Sequence, residues 1–478
     1  MTLTIQLRFL GVFVLLTPLS PEGSIESVVV TADAVTIRGT ADAETTIFEL
    51  RPQHFGDIGI EFPTRIRPGA FRLEVPRRAS THDRIDSRWK LGTDQRAMWA
   101  TDVGGACVHP GLKPMVARNR KGLGGIHPDP RLFQDLVDLG IGHITVNILL
   151  GRTNRGQLDR LLKFAHDNGI VVSAILLVPP RGSVLSHPDC HRSAHYAMPN
   201  MTSVEGVAAF RDAVTKLAER YCQPGFPHGR ISHWIVGNEV DAGWVWTNAG
   251  EKTAHEYMNE YHHALRVAYY GIRCFDPNGK VYISLTHHWN SRHQPQPKRF
   301  YKPRTLLDML AARSRNGGDF EWGVGYHPYA NNLFNPRTWE DKVTNDFDTP
   351  QITMKNIAVL DRYLRQPRFL YRGKNVRTVL LSEQGYHTKG RDPSPEAEAL
   401  QARAIAYAWK QMRDVKSIEA FHYHRWIDHE GEGGLWLGLW TVKRGSTTWP
   451  DRKKASWELY RDLATPRERL AVDQALRE

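Results

Sequence analysis

Val171-Val172-Ser173-Ala174-Ile175-Leu176-Leu177-Val178 is an almost unbroken apolar run of strand length. A strand with one wet face alternates apolar and polar residues. A run without that alternation is covered on both faces, the mark of a parallel sheet buried under helices. Outward from it, seven further segments read as strands: Lys121–Ile126, His143–Leu149, Ile231–Glu239, Lys280–His287, Trp322–Tyr329, Arg377–Glu383 and Ile418–Trp426. Helical segments lie between and after them: Pro130–Leu139, Gln157–Asn168, Val204–Tyr221, His255–Arg273, Arg304–Arg313, Met354–Arg365, Glu396–Met412 and Lys454–Leu463. Eight such units in succession predict an α/β fold of the (β/α)8 TIM-barrel type. A doubly wound open sheet is the alternative. It wants a glycine-rich phosphate loop running into a helix, and Gly122-Leu123-Gly124-Gly125 lacks that spacing.

A bare barrel needs roughly 250 residues, and this chain has 478. From Ser27 to about Arg77 the period changes to two, with Val28 and Val30, Val35 and Ile37, then Phe71, Leu73 and Val75 alternating with polar or small neighbours. This predicts a small N-terminal β module. The expected division is a candidate signal peptide over 1–23, the β module over 24–88, the catalytic barrel over 89–465 and a C-terminal tail over 466–478. Arg8 precedes the apolar run Phe9 to Leu19, a weak secretory leader without a clean small-x-small site at Ser20 to Ser24. A secreted or periplasmic protein is the expectation, with a disordered start as the other reading. No run of 18 apolar residues predicts a membrane span.

The formal net charge is +12. Lys and Arg are scattered rather than gathered into blocks, which disfavours nucleic acid as a partner and leaves a solvated basic surface or an acidic polysaccharide. The 14 tryptophans can fill a core or stack on sugar rings. Four cysteines, Cys107, Cys190, Cys222 and Cys274, are too few for a disulfide framework, and none form a CxxC. They are free or make one or two bridges. Cys222 and Cys274 close the helices after the third and fourth strands, where a disulfide could join neighbouring helix ends.

Barrel chemistry sits at the C-terminal ends of the strands. The fourth strand ends Trp234-Ile235-Val236-Gly237-Asn238-Glu239, and the seventh ends Val379-Leu380-Leu381-Ser382-Glu383. Each apolar run thus delivers one carboxylate to the barrel mouth, where a glutamate is costly unless paired or used. Asn-Glu by itself means little: Asn259-Glu260 lies inside a helical segment and reads as a solvated face. Placement separates the two.

Gly237-Asn238-Glu239, Ser382-Glu383-Gln384-Gly385, His327-Pro328-Tyr329 and Trp426 together resemble the clan A glycoside hydrolases, barrels with catalytic carboxylates on strands four and seven, over roughly Trp89 to Leu463. Val240 stands where cellulase-like members have proline, so the resemblance is to the clan and not to cellulases. It implies that Glu239 is the acid/base, Glu383 the nucleophile, and the mechanism retaining. The two carboxyls would then lie about 5–5.5 Å apart. It also implies that Asn238 contacts the sugar 2-hydroxyl and that a strand-six tyrosine, Tyr329 in preference to Tyr326, contacts the nucleophile. His327 shares the face of Tyr329. Trp426 would be a platform under the sugar, His288 and Trp289 would line the end of strand five beside His287, and Trp244 and Trp246 would line leaving-group subsites. No cofactor is expected, and the substrate is a carbohydrate. Arg152, Arg181, Arg304 and Arg425, near strand ends, are candidates for binding acidic groups.

Two other readings remain. A metal-dependent barrel hydrolase would use the histidine-rich rim, through His422-x-His424 or the loop bearing His187, Cys190, His191 and His195. A catalytically inactive barrel would only bind glycans.

Overall fold

The computed structural model describes residues 23–53 and 56–477. The expected leader falls almost wholly outside the described residues.

Seven strands come first: β1 (Gly23–Thr31), β2 (Ala34–Ala41), β3 (Thr45–Gln53), β4 (Gly56–Ile66), β5 (Gly69–Pro76), β6 (Arg88–Leu91) and β7 (Asp102–Gly105). They form two sheets, ordered β5-β2-β1-β7 and β4-β3-β6. Strands past residue 88, the expected edge of the module, complete both sheets, so the module and the start of the barrel region share them. β1 puts Val28 and Val30 into the core while Glu26 stays exposed, the alternation of a sheet with one covered face.

Eight parallel strands then close a barrel: β8 (Lys121–Leu123), β9 (His143–Leu149), β10 (Val171–Leu177), β11 (His233–Val236), β12 (Lys280–Thr286), β13 (Trp322–His327), β14 (Val379–Gln384) and β15 (Ile418–Tyr423). β15 pairs with β8, and that pairing excludes the open sheet. Every residue of β10 is buried, as its unbroken apolar run requires. Helices α1 (Phe133–Asp138), α2 (Arg155–Asp167), α3 (Val204–Tyr221), the short α4 (Gly243–Trp246), α5 (Ala254–Arg273), α6 (Pro303–Asn316), α7 (Ala358–Leu364), α8 (Pro395–Arg413) and α9 (Ala455–Asp462) surround it. Their starts carry the expected caps: Ser203 Oγ accepts from Gly206 N–H, and Thr253 with Glu256 forms a reciprocal capping box. Two short strands, β16 (Trp440–Val442) and β17 (Pro450–Lys453), form a ribbon between β15 and α9.

The expected tail is α10 (Glu468–Arg477), which buries Val472 and Ala475. Cys222 and Cys274 are free thiols, each turned to a different neighbour: Cys222 Sγ to the Ile231 carbonyl at 3.9 Å, Cys274 Sγ to Arg77 at 3.7 Å. Among the described residues no helix is long and apolar enough to cross a membrane.

Candidate active site

β11 ends at Val236, and the chain turns through Gly237 and Asn238 to place Glu239 at φ 39, ψ 59, in the left-handed region. That conformation is strained for any residue with a Cβ and persists where its surroundings fix it. Here the Glu239 N–H donates to Ser284 Oγ on β12 at 3.0 Å, and Thr247 Oγ1 donates to the Asn238 carbonyl at 2.7 Å. Glu383 lies on β14 itself. One carboxylate oxygen of each glutamate and a ring nitrogen of His327 lie within 4.8 Å of one another.

The sixth barrel strand organises both acids. His327, its last residue, is fully buried, with Nδ1 2.9 Å from Glu239 Oε1 and Nε2 3.1 Å from Ser382 Oγ. Two residues on, the Tyr329 hydroxyl donates to Glu383 Oε1 at 2.9 Å. Each carboxylate therefore has one oxygen held. Burial opposes charge on His327, but the charge of Glu383 and the hydrogen bond and charge of Glu239 outweigh it and hold the imidazole above its ordinary value. Burial and the Glu383 charge push the Tyr329 phenol well up, so it remains a donor. His327 was expected against the substrate; the structure buries it completely and bonds it to Glu239 and Ser382.

Other expected contacts fare differently. Asn238 is half-buried, and its Oδ1 is buried without a hydrogen-bond partner. Trp426 is not a platform: it is 1% exposed, and its indole N–H donates to Asp135 Oδ2 on α1 at 2.7 Å. Trp440 and Trp457 donate to the same carboxylate at 2.8 and 3.0 Å, so three indoles converge behind the barrel wall. Trp289 is likewise fully buried, donating to the Phe347 carbonyl and packed edge-on against Tyr363. His288 is half-buried, stacked on His287 and bonded to Ser291. Trp244 stacks on His191 and carries the Arg299 guanidinium 4.0 Å from its ring centroid. Trp246 stacks on His195 and Tyr196.

The histidine-rich rim does not assemble. His422 is fully buried in the barrel with Nδ1 toward the Leu381 carbonyl, whereas His424 turns to Glu432. His187 pairs with Glu260 at 2.9 Å, and His191 with Ser193 at 2.7 Å. Among the described residues the one cluster with ligand atoms this close is Glu239, His327 and Glu383. A cation there would have to displace the bond between His327 and Glu239, since both ring nitrogens are engaged.

Beside Glu383 opens a cavity of about 340 Å³, whose lining includes Thr145, Asn147, Arg425 and Glu432. Burial and the Glu383 charge both push up the Tyr196 phenol, which places that ring near the same carboxylate. Thr145, Asn147, Tyr196 and Glu432 were not singled out in the sequence, although polar residues at alternate positions of the apolar strand His143-x-Thr145-x-Asn147 were the available signal. Of the expected arginines, Arg425 reaches the cavity, Arg152 and Arg181 are exposed, and Arg304 pairs with Asp348 at 2.7 Å.

A model of a family described as of unknown function, DUF5722, matches residues 153–478. No curated protein matches the chain in sequence. Among solved structures, the chain is similar to a calcium-binding mutant of Bacteroides uniformis beta-glucuronidase 2 at 12% identity and a TM-score of 0.43, covering 92% of this chain and 49% of that one. The chain thus spans about half the length of that enzyme. It is also similar to a GH39 beta-xylosidase from Caulobacter crescentus, at 14% identity and a TM-score of 0.46 over 74% of this chain and 72% of that one. A family 1 b-glucosidase from Thermotoga maritima gives 15% identity and a TM-score of 0.43 over 70% and 86%.

Proposed function

The chain belongs to the family of unknown function DUF5722, and because that membership names no chemistry, we propose from the site itself that the protein is a retaining glycoside hydrolase acting on O-glycosidic bonds of a polysaccharide or oligosaccharide. The observation that carries this reading is the pair at the mouth of a closed barrel: oxygens of Glu239 and Glu383 within 4.8 Å, one carboxylate bonded to His327 at the end of strand six and the other to Tyr329 just beyond it. Oxygens this close support direct attack by a carboxylate; an inverting enzyme holds its two carboxyl groups roughly 6.5–9.5 Å apart to seat a water.

In the first step the free oxygen of Glu383 attacks the anomeric carbon while Glu239 gives its proton to the leaving oxygen. Tyr329 keeps Glu383 oriented, and His327 keeps Glu239 aimed. In the second step Glu239 takes a proton from water, which attacks the same carbon, and Glu383 leaves as a carboxylate. Asn238, which precedes Glu239 in the chain, is the proposed contact to a sugar hydroxyl. Acidic groups on a polymer would be met at the rim by the exposed Arg152 and Arg181. A hydrolase of this kind fits an exported protein.

The test uses aryl glycosides and azide. The Glu239→Ala variant accumulates glycosyl-enzyme, and azide, which needs no base, restores turnover with a glycosyl azide of retained configuration. Glu383→Ala is inactive, and azide entering the vacated face gives the inverted product. The opposite pairing swaps the two roles. Full activity in both variants moves the site elsewhere.

A further inference from the structure

Among the described residues large apolar side chains stand exposed at six positions, and only Leu333 and Phe334 are neighbours in the chain, 38% and 51% exposed. Single apolar residues scattered over a surface are ordinary. This pair is set apart by its place. It lies in the loop that follows β13, shortly past Tyr329, whose hydroxyl donates to Glu383. The ring is tied to the catalytic cavity from a second side as well. A Cβ at Gly434 would lie 3.9 Å from Phe334 Cε1, and Gly434 is two residues from Glu432, which lines the cavity and pairs with Arg425 and His424. The pair therefore stands on the rim of the barrel mouth, where the loops after β13 and β15 meet.

The ring is fixed there. Phe334 N–H donates to Asn332 Oδ1 at 3.0 Å, and Asn335 N–H to the Asn332 carbonyl at 2.9 Å, which closes a tight turn. The phenyl ring meets His387, in the loop after β14, in an edge arrangement with centroids 5.3 Å apart. His387 is buried, and its Nδ1 accepts from Trp436 N–H at 3.0 Å, while Thr388 N–H donates to the Trp436 carbonyl at 3.0 Å. Three loops thus hold one phenyl ring in place and leave half of it in water. Fixing an aromatic side chain in advance removes much of the ordering cost of a later contact.

The size and surroundings of the pair decide what covers it. A stable protein interface buries roughly 800 Å² on each partner, far more than two side chains offer. The flanking residues are amides, in the run Asn331-Asn332-Leu333-Phe334-Asn335, with Asn332 exposed. A pyranose ring matches this pattern, since one of its faces presents C–H groups and its edge presents hydroxyls. The C–H face can pack on the phenyl ring and Leu333, with the hydroxyls turned to the amide and to water.

We propose that Phe334 and Leu333 form a platform for a second sugar ring, one or more units from the bond cleaved, so that the protein recognises an oligosaccharide in preference to a single glycoside. The inference rests on the glycosidase reading for what fills the cavity and goes beyond it in assigning a second subsite. The test is calorimetric binding to the Glu383→Gln variant of the β-1,4-linked pentasaccharides of glucose, xylose and mannose and the β-1,3-linked pentasaccharide of glucose, each against the methyl glycoside of the same sugar. At least one pentasaccharide should bind about tenfold tighter than its methyl glycoside. Adding Phe334→Ala should remove most of that advantage, and adding Phe334→Trp should keep it. No advantage for any pentasaccharide, or an advantage that survives Phe334→Ala, overturns the platform. Aryl glycosides hydrolysed by the wild type with no gain from chain length leave the glycosidase reading standing alone. An advantage that depends on Phe334 in a protein that hydrolyses no glycoside leaves the platform standing and removes the enzyme.

Discussion

Asp241, two residues past Glu239, is fully buried, and its carboxylate accepts from Thr286 N–H at 2.8 Å and Thr286 Oγ1 at 2.6 Å. Burial is the largest influence and raises its pKa to about 7, with the Glu239 charge adding in the same direction against the Thr286 bonds. In the unfolded chain this carboxyl ionises near pH 4. The folded state therefore holds the proton more tightly. Its contribution is fully present below pH 4 and is lost as pH rises toward 7, on the order of 4 kcal/mol in all. Asp241→Asn keeps an acceptor for Thr286 N–H and cannot ionise. Urea midpoints should then favour the variant over the wild type increasingly between pH 4 and 8; a constant difference contradicts the burial argument. At this scale the two acids were legible in the sequence, because each follows an apolar run. His327 was legible as a member of the site but not in its part, since sequence spacing tells that it shares a face with Tyr329 and not that the ring is sealed between Glu239 and Ser382.

The elements follow the apolar periodicity closely, and β9 runs over His143–Leu149 as expected. The ends differ. β15 stops at Tyr423, so Trp426 lies in the following turn and swings behind the wall to Asp135. An indole reads the same in sequence whether it faces a sugar or a carboxylate of a neighbouring helix. Asp135 ties α1 to the loop after β15 and to α9 through three indole N–H bonds, and burial pushes its pKa up against them. Asp135→Ala orphans three indoles at about 1–3 kcal/mol each. It should cost several kcal/mol of unfolding free energy in a urea titration and also lower kcat, because the same loop carries His424 and Arg425. A variant as stable as the wild type would show that the indoles find other acceptors.

Across the whole molecule, the β module lies against α3 through an ion pair, Arg211 on α3 reaching Asp86 at 3.0 Å. Arg77, paired with Asp83 at 2.9 Å inside the module, reaches Cys274 Sγ at the end of α5 at 3.7 Å. The segment that follows runs under the barrel: Trp99 N–H bonds the Gly317 carbonyl past the end of α6, and Val108 N–H bonds the Cys274 carbonyl past the end of α5. Helix ends of this kind lie opposite the mouth that holds Glu239 and Glu383. Period-two patterning predicted the module but not this seat, which depends on pairs far apart in sequence. Burial already raises the pKa of Asp86 to about 7 against the charge of Arg211, so in Arg211→Met the acid takes up a proton and the variant loses about 1–3 kcal/mol for the unmatched polar group. It should lower the unfolding midpoint of the entire chain in one transition while leaving kcat within about twofold, measured on the same aryl glycoside. A large fall in kcat at unchanged stability would tie the module to the chemistry.

The central claim is that Glu383 becomes covalently bonded to the sugar. The direct measurement is mass spectrometry of the protein after reaction with 2-deoxy-2-fluoro aryl glycosides, poor in the second step, followed by peptide mapping. One glycosyl unit on the peptide containing Glu383, absent in Glu383→Gln, is the predicted result. A label on Glu239 instead, or rapid hydrolysis of aryl glycosides to the inverted sugar with no label at any residue, would contradict the account.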